Sequence, residues 1–362
     1  MYIHQRKDWT KFIWDAEIIT PLLGEVRHRQ GKILGVMQGL GFRLQEETVL
    51  KTLTLDVVKS SEIEGEQLNP EQVRSSIARR LGIEIAGAIA AERNVEGVVE
   101  MLLDATQLYD SVLTEDRLFG WHAALFPTGR SGMYKIKTTT WRDDAMQVTS
   151  GPMGKEMVHF EAPVSEKVPG EMKFFLDWFN SDLEMDPVLK AAFAHLWFVT
   201  IHPFDYGNGR IARAITDMQL ARADQSKQRF YSMSAQIQSD RNNYYKILES
   251  TQKGDLNITP WLEWFLTCLL QSMAQTDATI SLTLKRAHFW ETHRTTDFNT
   301  RQQKILQLLI DDFFGKLTVS KYAKTTEVST DTSLRDIQDL MGKEILTQQG
   351  SGRGTSYTLV AF

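Results

Sequence analysis

Apolar residues recur at three- and four-residue spacing along most of the chain, a pattern that predicts a mostly α-helical protein. The spacing runs from Gln45 to Arg93, with breaks at 65–70 and Gly82. It resumes further along, where the predicted helices cover Gly170–Phe179, Leu189–Thr200, Ile211–Leu220 and Arg241–Thr251, followed by a helix that starts near Trp261. The first part is therefore predicted to be a helical cap, and the later segments the helical core of the main domain.

The stretch between Gly132 and Val168 has a different pattern. Thr138–Trp141 and Val158–Phe160 are rich in residues that favour strands, and Ser150-Gly151-Pro152 is a turn signal between them. A β-hairpin in a mostly helical protein is predicted here.

The C-terminal pattern predicts three helices and a second hairpin. The helices cover Thr300–Leu309, Val319–Lys324 and Ser329–Met341, and a glycine turn at 350–352 separates two short strand-like runs. Three helices followed by a hairpin predict a winged helix. The expected domains are an N-terminal helical region at 1–95, a core at 96–298 and a winged helix at 299–362.

Composition narrows the class of protein. The chain has 362 residues with 42% hydrophobic residues, as in folded globular proteins. The single cysteine, Cys268, lies in an apolar run and predicts a reducing compartment. We find no signal-peptide pattern and no apolar run that could span a bilayer, so we expect a cytoplasmic protein without a membrane partner. A formal net charge of -5 gives no reason to expect nucleic acid as the main partner.

Residues 200–213 carry the strongest chemical signal. The segment follows an apolar helix, breaks at Pro203 and enters a new helix after two glycines, an arrangement that lets backbone N–H groups bind a phosphate. Arg210 and Arg213 lie three residues apart on one face of the new helix and could hold the same polyphosphate. His202 precedes the loop and could take a proton from an incoming hydroxyl. The combination predicts phosphoryl or nucleotidyl transfer.

The segment His202–Arg213 resembles the Fic signature H-P-F-x-[D/E]-G-N-G-R-x-x-R, and similarity to Fic proteins with an N-terminal helical cap and a C-terminal winged helix covers nearly the whole chain. The block Met146–Pro163 resembles the flap of these proteins, a hairpin that aligns a target segment with ATP. The resemblance implies an enzyme that transfers AMP from ATP, with Mg²⁺, to a Ser, Thr or Tyr hydroxyl of a protein.

The resemblance also implies roles for single residues. His202 would be the base, Gly207, Asn208 and Gly209 would cradle the phosphates, and Arg210 and Arg213 would bind the β- and γ-phosphates. Three more residues, Tyr244, Tyr245 and Gln252, resemble the segment that holds adenine, although an aromatic pair on a helix is more often part of a core.

One position departs from the signature. Tyr206 stands where the family has the Asp or Glu that holds Mg²⁺, and a neutral phenol is a poor ligand for a hard cation. Asp205 is adjacent, but a neighbouring residue in a tight loop points elsewhere unless the backbone shifts. Reduced activity, loss of activity, altered chemistry and an engineered change all remain open.

A second, shorter pattern lies upstream. Ser60, Glu64 and Gly65 match the inhibitory motif [S/T]-x-x-x-E-[G/N] of the same family, and the helix is predicted to end at Gly65. A Glu64 carboxylate paired with Arg213 would occupy the guanidinium group that should hold the γ-phosphate. We therefore predict that Glu64 inhibits the enzyme.

Alternatives of another class remain. An impaired Fic protein could act as a binding or transcriptional regulator, and the same scaffold could transfer phosphate or phosphocholine. The family resemblance suggests a homodimer, and the chain itself is a possible target. Residues 299–362 contain eight Lys/Arg and seven Asp/Glu, so the winged helix is expected to serve protein contacts, with DNA binding a weaker alternative. His195, on an apolar helix, is expected to be a core residue.

Overall fold

The structure is a computed structural model that describes residues 1–39, 41–151, 155, 157–182, 184–310 and 316–360. The fold is mostly helical, which confirms the predicted fold class. Its contacts form two compact units, Met1–Thr276 and Asp277–Phe362. The finer division into three domains, with boundaries at 95 and 298, stays a prediction.

The first unit is built of helices with two small hairpins. Its helices are α1 (Ala16–Gln38), α2 (Phe42–Ile63), α3 (Pro70–Leu81), α4 (Arg93–Gln107), α5 (Glu115–Leu125), α6 (Val168–Asn180), α7 (Pro187–Ile201), α8 (Asn208–Asp224), α9 (Met233–Ser239), α10 (Arg241–Gln252) and the first part of α11 (Thr259–Thr292). Its strands are β1 (Arg130–Ser131), β2 (Tyr134–Lys135), β3 (Gln147–Ser150) and β4 (Met157–Glu161).

The pair α7 and α8 forms the centre of this unit. Pro187 begins α7 with a preset backbone angle, and Asp186 caps the helix by accepting the Val188 N–H at 2.8 Å. From Val188 to Ile201 every residue of α7 is buried, and the helix packs against α8. The loop that joins the two helices is therefore anchored at both ends in the core.

Helix α2 brings the predicted inhibitory segment to this centre. It packs against α3, α8 and α9, and its last helical residue is Ile63. Gly65 follows with a φ of +81°, a conformation that glycine adopts without strain, so the chain turns sharply after Glu64. The predicted helix end at Gly65 is confirmed.

The predicted hairpin is present, but only one of its two predicted strands is correct. Val158–Phe160 lies in β4, which pairs antiparallel with β3, whereas Thr138–Trp141 forms no strand. Thr139 has a φ of +64°, which interrupts an extended run, and the buried Trp141 ring packs against Phe204 at 5.1 Å between centroids. Burial against the core explains the β-like composition of that stretch. Pro152 of the predicted turn lies outside the described residues.

The second unit contains helices α12 (Thr300–Ile310), α13 (Val319–Thr326) and α14 (Thr330–Gly342), followed by antiparallel strands β5 (Leu346–Gln349) and β6 (Ser356–Leu359). These elements match the predicted order of three helices and a hairpin. Their core includes the buried residues Leu306, Tyr322, Ile337, Leu340 and Tyr357. Assignment of this unit as a winged helix stays a prediction.

Across the described ranges, none of the helices combines the length and apolar character needed to cross a membrane.

Candidate functional site

The loop between α7 and α8, residues 202–207, begins and ends in left-handed backbone conformations. His202 has a φ of +51° and terminates α7, with its N–H donating to Phe198 O at 3.0 Å. Gly207 has a φ of +80°, and a Cβ at this position would crowd the Phe126 ring. Gly207 offers no side-chain cap, so the first N–H groups of α8 face the loop without the usual capping oxygen. Such a helix start binds anions.

The side chains of Asn208 and His122 hold this loop in place. Asn208 closes it from within, since its side chain accepts the Phe204 N–H at 3.0 Å and donates to Phe204 O at 2.7 Å. His122 of α5 lies 3.2 Å from Tyr206 O through Nε2 and stacks on the Phe204 ring, with centroids 4.2 Å apart. Burial lowers the pKa of His122 to about 4, so the ring is neutral at pH 7 and Nε2–H is the donor to the carbonyl.

Arg142 joins the loop to the base of the hairpin. Its guanidinium, which is buried, donates from Nε to His202 O at 2.7 Å and from Nη2 to Pro163 O at 2.5 Å. Its backbone N–H also donates to Pro203 O at 2.9 Å. One side chain therefore sets the position of the histidine relative to the hairpin that ends near Pro163.

The geometry fixes the protonation state of His202. Nδ1 lies 3.2 Å from Val199 O, and because a carbonyl can only accept, Nδ1 carries the hydrogen. Nε2 is then the unprotonated nitrogen. Burial lowers the pKa of His202 to about 4, the hydrogen bond to Val199 opposes the shift, and the imidazole is neutral at pH 7. His202 can therefore accept a proton at Nε2.

The predicted contact between Glu64 and Arg213 is present. Arg213 Nη2 donates to Glu64 Oε1 at 2.8 Å, and the same guanidinium donates from Nε to Ser60 Oγ at 2.8 Å and from Nη2 to Ser60 O at 2.9 Å. Ser60 and Glu64 are four residues apart, so both face α8 from the same side of α2. The two polar residues of the short upstream motif hold one arginine.

The Glu64 carboxylate lies directly against the start of α8. A Cβ added at Gly209 would collide with Glu64 Oε1, so only glycine allows this approach. The neighbouring Arg210 is held in a similar way, because its Nη1 donates to Glu66 Oε2 at 2.6 Å. Two carboxylates thus neutralise the two arginines in the first turns of α8.

Electrostatics keep Glu64 charged. Burial by itself raises the pKa of Glu64, but the positive charges of Arg213 and Arg210 outweigh this effect and the pKa lies below its usual value. In the part of the chain that the structure describes, Arg213 Nη1 and Arg210 Nε are buried and have no hydrogen-bond partner. These two N–H groups can therefore donate to an anion larger than a carboxylate.

The predicted metal position has no carboxylate. The Tyr206 side chain is 40% exposed and stacks on Tyr134 at 6.4 Å between centroids. Burial raises the pKa of the adjacent Asp205, and the nearby Lys137 opposes that shift. The described residues contain no group of three or more His, Cys, Asp and Glu able to hold a metal ion. The residues at this position do not fit a tightly bound Mg²⁺, because a neutral phenol is a poor ligand for a hard cation.

The three residues predicted to hold adenine lie on α10 and differ in exposure. Tyr245 is 38% exposed, and its hydroxyl donates to Ile63 O at 3.3 Å, beside Glu64. Tyr244 and Gln252 are buried, with the Tyr244 hydroxyl 2.9 Å from His195 Nε2 and Gln252 Nε2 donating to Thr200 Oγ1 at 3.2 Å. Their role in nucleotide binding stays a prediction. His195 is a hydrogen-bonded core residue, as expected.

Sequence reasoning missed Arg142, His122 and Glu66. Arg142 and His122 act on backbone carbonyls, which every residue has, so no residue pattern identifies their partners. Glu66 could have been found, since it lies two residues after Glu64 and the signature segment carries two arginines to neutralise.

Residues 112–220 match the Fic/DOC family, and residues 2–83 match a family described as Domain of unknown function (DUF4172). The chain is 37% identical over 97 residues to Protein adenylyltransferase fic-1 of Caenorhabditis elegans, covering 26% of this chain and 18% of that protein. It is 36% identical over 108 residues to Protein adenylyltransferase Fic of Nematostella vectensis, covering 29% and 23%. The chain thus spans about a fifth of the length of these curated relatives.

Solved structures share the fold. A Fic family protein from Desulfovibrio desulfuricans G20 matches with a TM-score of 0.55 at 19% identity, covering 95% of this chain and 96% of that chain. A Fic domain containing signaling protein from Bacteroides thetaiotaomicron VPI-5482 matches with a TM-score of 0.51 at 22% identity, covering 72% and 95%. At these identities the likeness concerns the fold alone.

Proposed function

We propose that this chain, in which residues 112–220 are a Fic/DOC family domain, transfers AMP from ATP to a Ser, Thr or Tyr hydroxyl of a protein and is held inactive by Glu64. The observation that carries the proposal is the Glu64 carboxylate, an anion seated against Gly209 and bonded to Arg213. A site that already holds one anion with spare guanidinium donors suits a polyphosphate. The curated relatives, named protein adenylyltransferases, support the choice of AMP.

The chemistry follows from the geometry of His202. Nε2 takes the proton of the target hydroxyl, whose oxygen attacks the α-phosphorus of ATP. The bond from the α-phosphorus to the bridging oxygen breaks, and pyrophosphate leaves. Gly207, Asn208 and Gly209 present the start of α8 to the phosphates, and Arg210 and Arg213 bind the departing negative charge.

Two carboxylates inhibit the site in this proposal. A γ-phosphate that binds Arg213 must displace Glu64 from the 2.8 Å ion pair, and a second phosphate oxygen must compete with Glu66 for Arg210. ATP therefore binds in an unproductive position until the end of α2 moves. Ser60 and Glu64 lie at the same end of α2, and both accept hydrogen bonds from Arg213. Movement of this helix end therefore removes both partners from the arginine.

Labelling tests the proposed reaction. Purified Glu64→Gly protein is incubated with a heat-treated lysate, in which the lysate's own kinases are inactive, together with Mg²⁺ and ATP labelled on the α- or on the γ-phosphate, and labelled proteins are resolved on a gel. Transfer of AMP predicts label from α-labelled ATP alone. His202→Ala in the Glu64→Gly background removes the base and lowers label on lysate proteins by about 10²-fold or more. Label from γ-labelled ATP alone, or label that is independent of His202, contradicts the proposal.

Tyr206 allows a separate prediction about the metal. Tyr206→Asp restores a carboxylate at the position where the family has one, so we expect transfer to rise and the Mg²⁺ concentration for half-maximal rate to fall. Tyr206→Phe is the matched control, because it keeps the ring that stacks on Tyr134 and adds no ligand. Equal Mg²⁺ dependence in the two variants would show that position 206 does not set the metal affinity.

A second candidate function rests on the same position. A chain without the carboxylate could bind ATP without transferring AMP and act as a binding protein or regulator. Label that appears only after Tyr206→Asp favours this alternative. The C-terminal unit gives little support to DNA binding, because residues 299–362 contain eight Lys/Arg and seven Asp/Glu, and Arg301 of α12 is paired with Asp336 of α14. We propose that this unit serves protein contacts, including a homodimer.

A further inference from the structure

The β3–β4 hairpin is mostly exposed. Strand β3 has four residues and β4 has five, all of which the structure describes, and among them Phe160 is the one buried residue. A two-stranded hairpin by itself is at best marginally stable in water. The position of this hairpin therefore depends on the residues that cover Phe160 and on those that bind its backbone.

Residues near the start of the chain cover Phe160. The rings of Tyr2 and His4 each meet the Phe160 ring edge to face, with centroids 5.2 and 5.7 Å apart. These two rings also stack on each other at 5.9 Å. Ile3, which lies between them in the sequence, is fully buried. Edge-to-face contact is a favoured geometry for aromatic rings, so residues 2–4 form a specific contact with β4.

His4 also binds the backbone of the same strand. Its Nε2 lies 2.8 Å from Glu161 O, and because a carbonyl can only accept, Nε2 carries the hydrogen. The Ala162 N–H donates to Met146 O at 3.0 Å, so in the adjacent pair, Gln147 and Glu161, the backbone groups point away from the partner strand. His4 therefore binds a carbonyl on the outer edge of β4.

The segment that carries His4 is fixed to the helical core. Arg6 donates to Gly254 O from Nε at 3.0 Å and from Nη2 at 2.8 Å. Further along, the Ile13 N–H donates to Leu256 O at 2.9 Å, and the Ile258 N–H donates to Ile13 O at 2.9 Å. The start of the chain is thus held by the loop between α10 and α11, and it passes this fixed position on to the hairpin.

The His4 contact lies beside the link between the hairpin and the α7–α8 loop. Glu161 O accepts from His4, and Pro163 O, two residues further on, accepts from Arg142. The same arginine donates to His202 O. The Arg142 contact by itself would leave the hairpin free to turn about Pro163. A second contact at Glu161 fixes the direction in which the hairpin leaves the loop.

An alternative is that α10 alone holds the hairpin. His159 Nδ1 lies 2.8 Å from Glu249 Oε2 of α10, but these side chains are 25% and 33% exposed. Ion pairs that water reaches contribute little to stability. The alternative also leaves unexplained why two aromatic rings from residues 2–4 cover the buried Phe160.

We propose that residues 2–6 hold the β3–β4 hairpin in the orientation from which a target segment reaches His202, with His4 as a positioning residue. The inference rests on the proposed AMP transfer and concerns the target side of that reaction. His4 acts through Glu161 and Phe160 rather than on the reacting atoms. Loss of its contacts therefore raises the amount of target protein needed for a half-maximal rate and leaves the dependence on ATP unchanged.

The test uses the full chain carrying Glu64→Gly, with α-labelled ATP, Mg²⁺ and a heat-treated lysate as the protein substrate. The rate of label transfer is measured against lysate concentration and, separately, against ATP concentration. We expect His4→Ala to raise the half-saturating lysate concentration about 3- to 10-fold, as for loss of one hydrogen bond, and to leave that of ATP unchanged. His4→Gln keeps a side-chain N–H donor and restores part of the loss. His28→Ala, at an exposed histidine of α1, is the matched control and changes neither value.

Hydrogen exchange gives a second readout that needs no ATP. Amides of the hairpin should exchange about 3- to 10-fold faster in His4→Ala than in the parent and at the parent rate in His28→Ala. Equal exchange in all three proteins contradicts the contact itself. A thermal melt shows that each variant is folded at the assay temperature.

The outcomes separate this inference from the function on which it rests. Labelled lysate proteins with equal half-saturating lysate concentrations in the parent and in His4→Ala overturn the inference and leave AMP transfer standing. A rise of the same size in the half-saturating ATP concentration also overturns it, because a general loss of structure then explains the effect. Absence of label in the parent overturns AMP transfer, and the role of His4 in target binding falls with it.

Discussion

At the scale of single residues, the site is defined by how closely Glu64 approaches Gly209. Glu64 and Arg213 are 149 positions apart in the chain, yet their pairing was predicted, because Ser60, Glu64 and Gly65 match the inhibitory motif of the family that the loop motif resembles. The sequence could not predict the collision at position 209, which depends on the backbone distance between α2 and α8. Close approaches of this kind have no signature in residue type.

Gly209→Ala tests that approach. The new Cβ collides with the Glu64 carboxylate in the parent but not after Glu64→Gly, so its destabilising effect should be larger in the parent. We expect a coupling energy of about 0.5 to 3 kcal/mol between the two changes, from urea unfolding of the parent, both single variants and the double variant. Additive effects would show that Glu64 does not rest on Gly209.

At the scale of elements, sequence periodicity was a good guide to helices and a poor guide to what connects them. The spacing of residues along the chain predicted α7, α8 and α10. The strand predicted at Thr138–Trp141 is wrong, since that composition reflects burial of Trp141 beneath the loop rather than pairing. Arg142, in the same stretch, donates to the backbone carbonyls of His202 and Pro163 and so connects the α7–α8 loop to the end of the hairpin.

Arg142→Lys tests whether this connection positions His202. Lysine cannot replace the fork that reaches both His202 O and Pro163 O, and we expect unfolding to become easier by about 2 to 3 kcal/mol. Arg117→Lys is the matched control, because Arg117 also donates to backbone carbonyls, those of Asp104 and Leu108.

The two variants should differ in activity. Displacement of His202 lowers AMP transfer by about 10²-fold in Arg142→Lys, whereas Arg117→Lys loses stability alone. The rate of AMP transfer is measured for both variants at a temperature where both are folded. Equal rates would show that Arg142 has a structural role alone.

At the scale of the whole molecule, three histidines whose pKa is lowered by desolvation make stability depend on pH. Burial lowers the pKa of His122 and His202 to about 4 and that of His195 to about 3. Between these values and the ordinary 6.5, the unfolded chain binds more protons than the folded chain. The free energy of unfolding that they contribute is therefore complete above pH 6.5 and decreases as the pH falls toward 4.

His195→Gln isolates one of these contributions. His195 accepts or donates only within the core, to Thr216 and Tyr244, and lies outside the loop that carries His202. Between pH 6 and 4 the variant should lose less stability than the parent, by about 1.4 kcal/mol per pH unit. Urea unfolding at several pH values measures both slopes. Equal slopes would mean that His195 is protonated in the folded chain.

The release of inhibition by Glu64→Gly is the most direct test of the account. AMP transfer to lysate proteins is measured for the parent, for Glu64→Gly and for Glu62→Gly, in which a glutamate of the same helix end that pairs with Lys59 is lost instead. We predict at least a tenfold rise for Glu64→Gly, since ion pairs of this kind are worth about 1.5 to 3 kcal/mol, and no rise for Glu62→Gly. Equal rates in all three proteins, with His202-dependent label present, would contradict inhibition by Glu64.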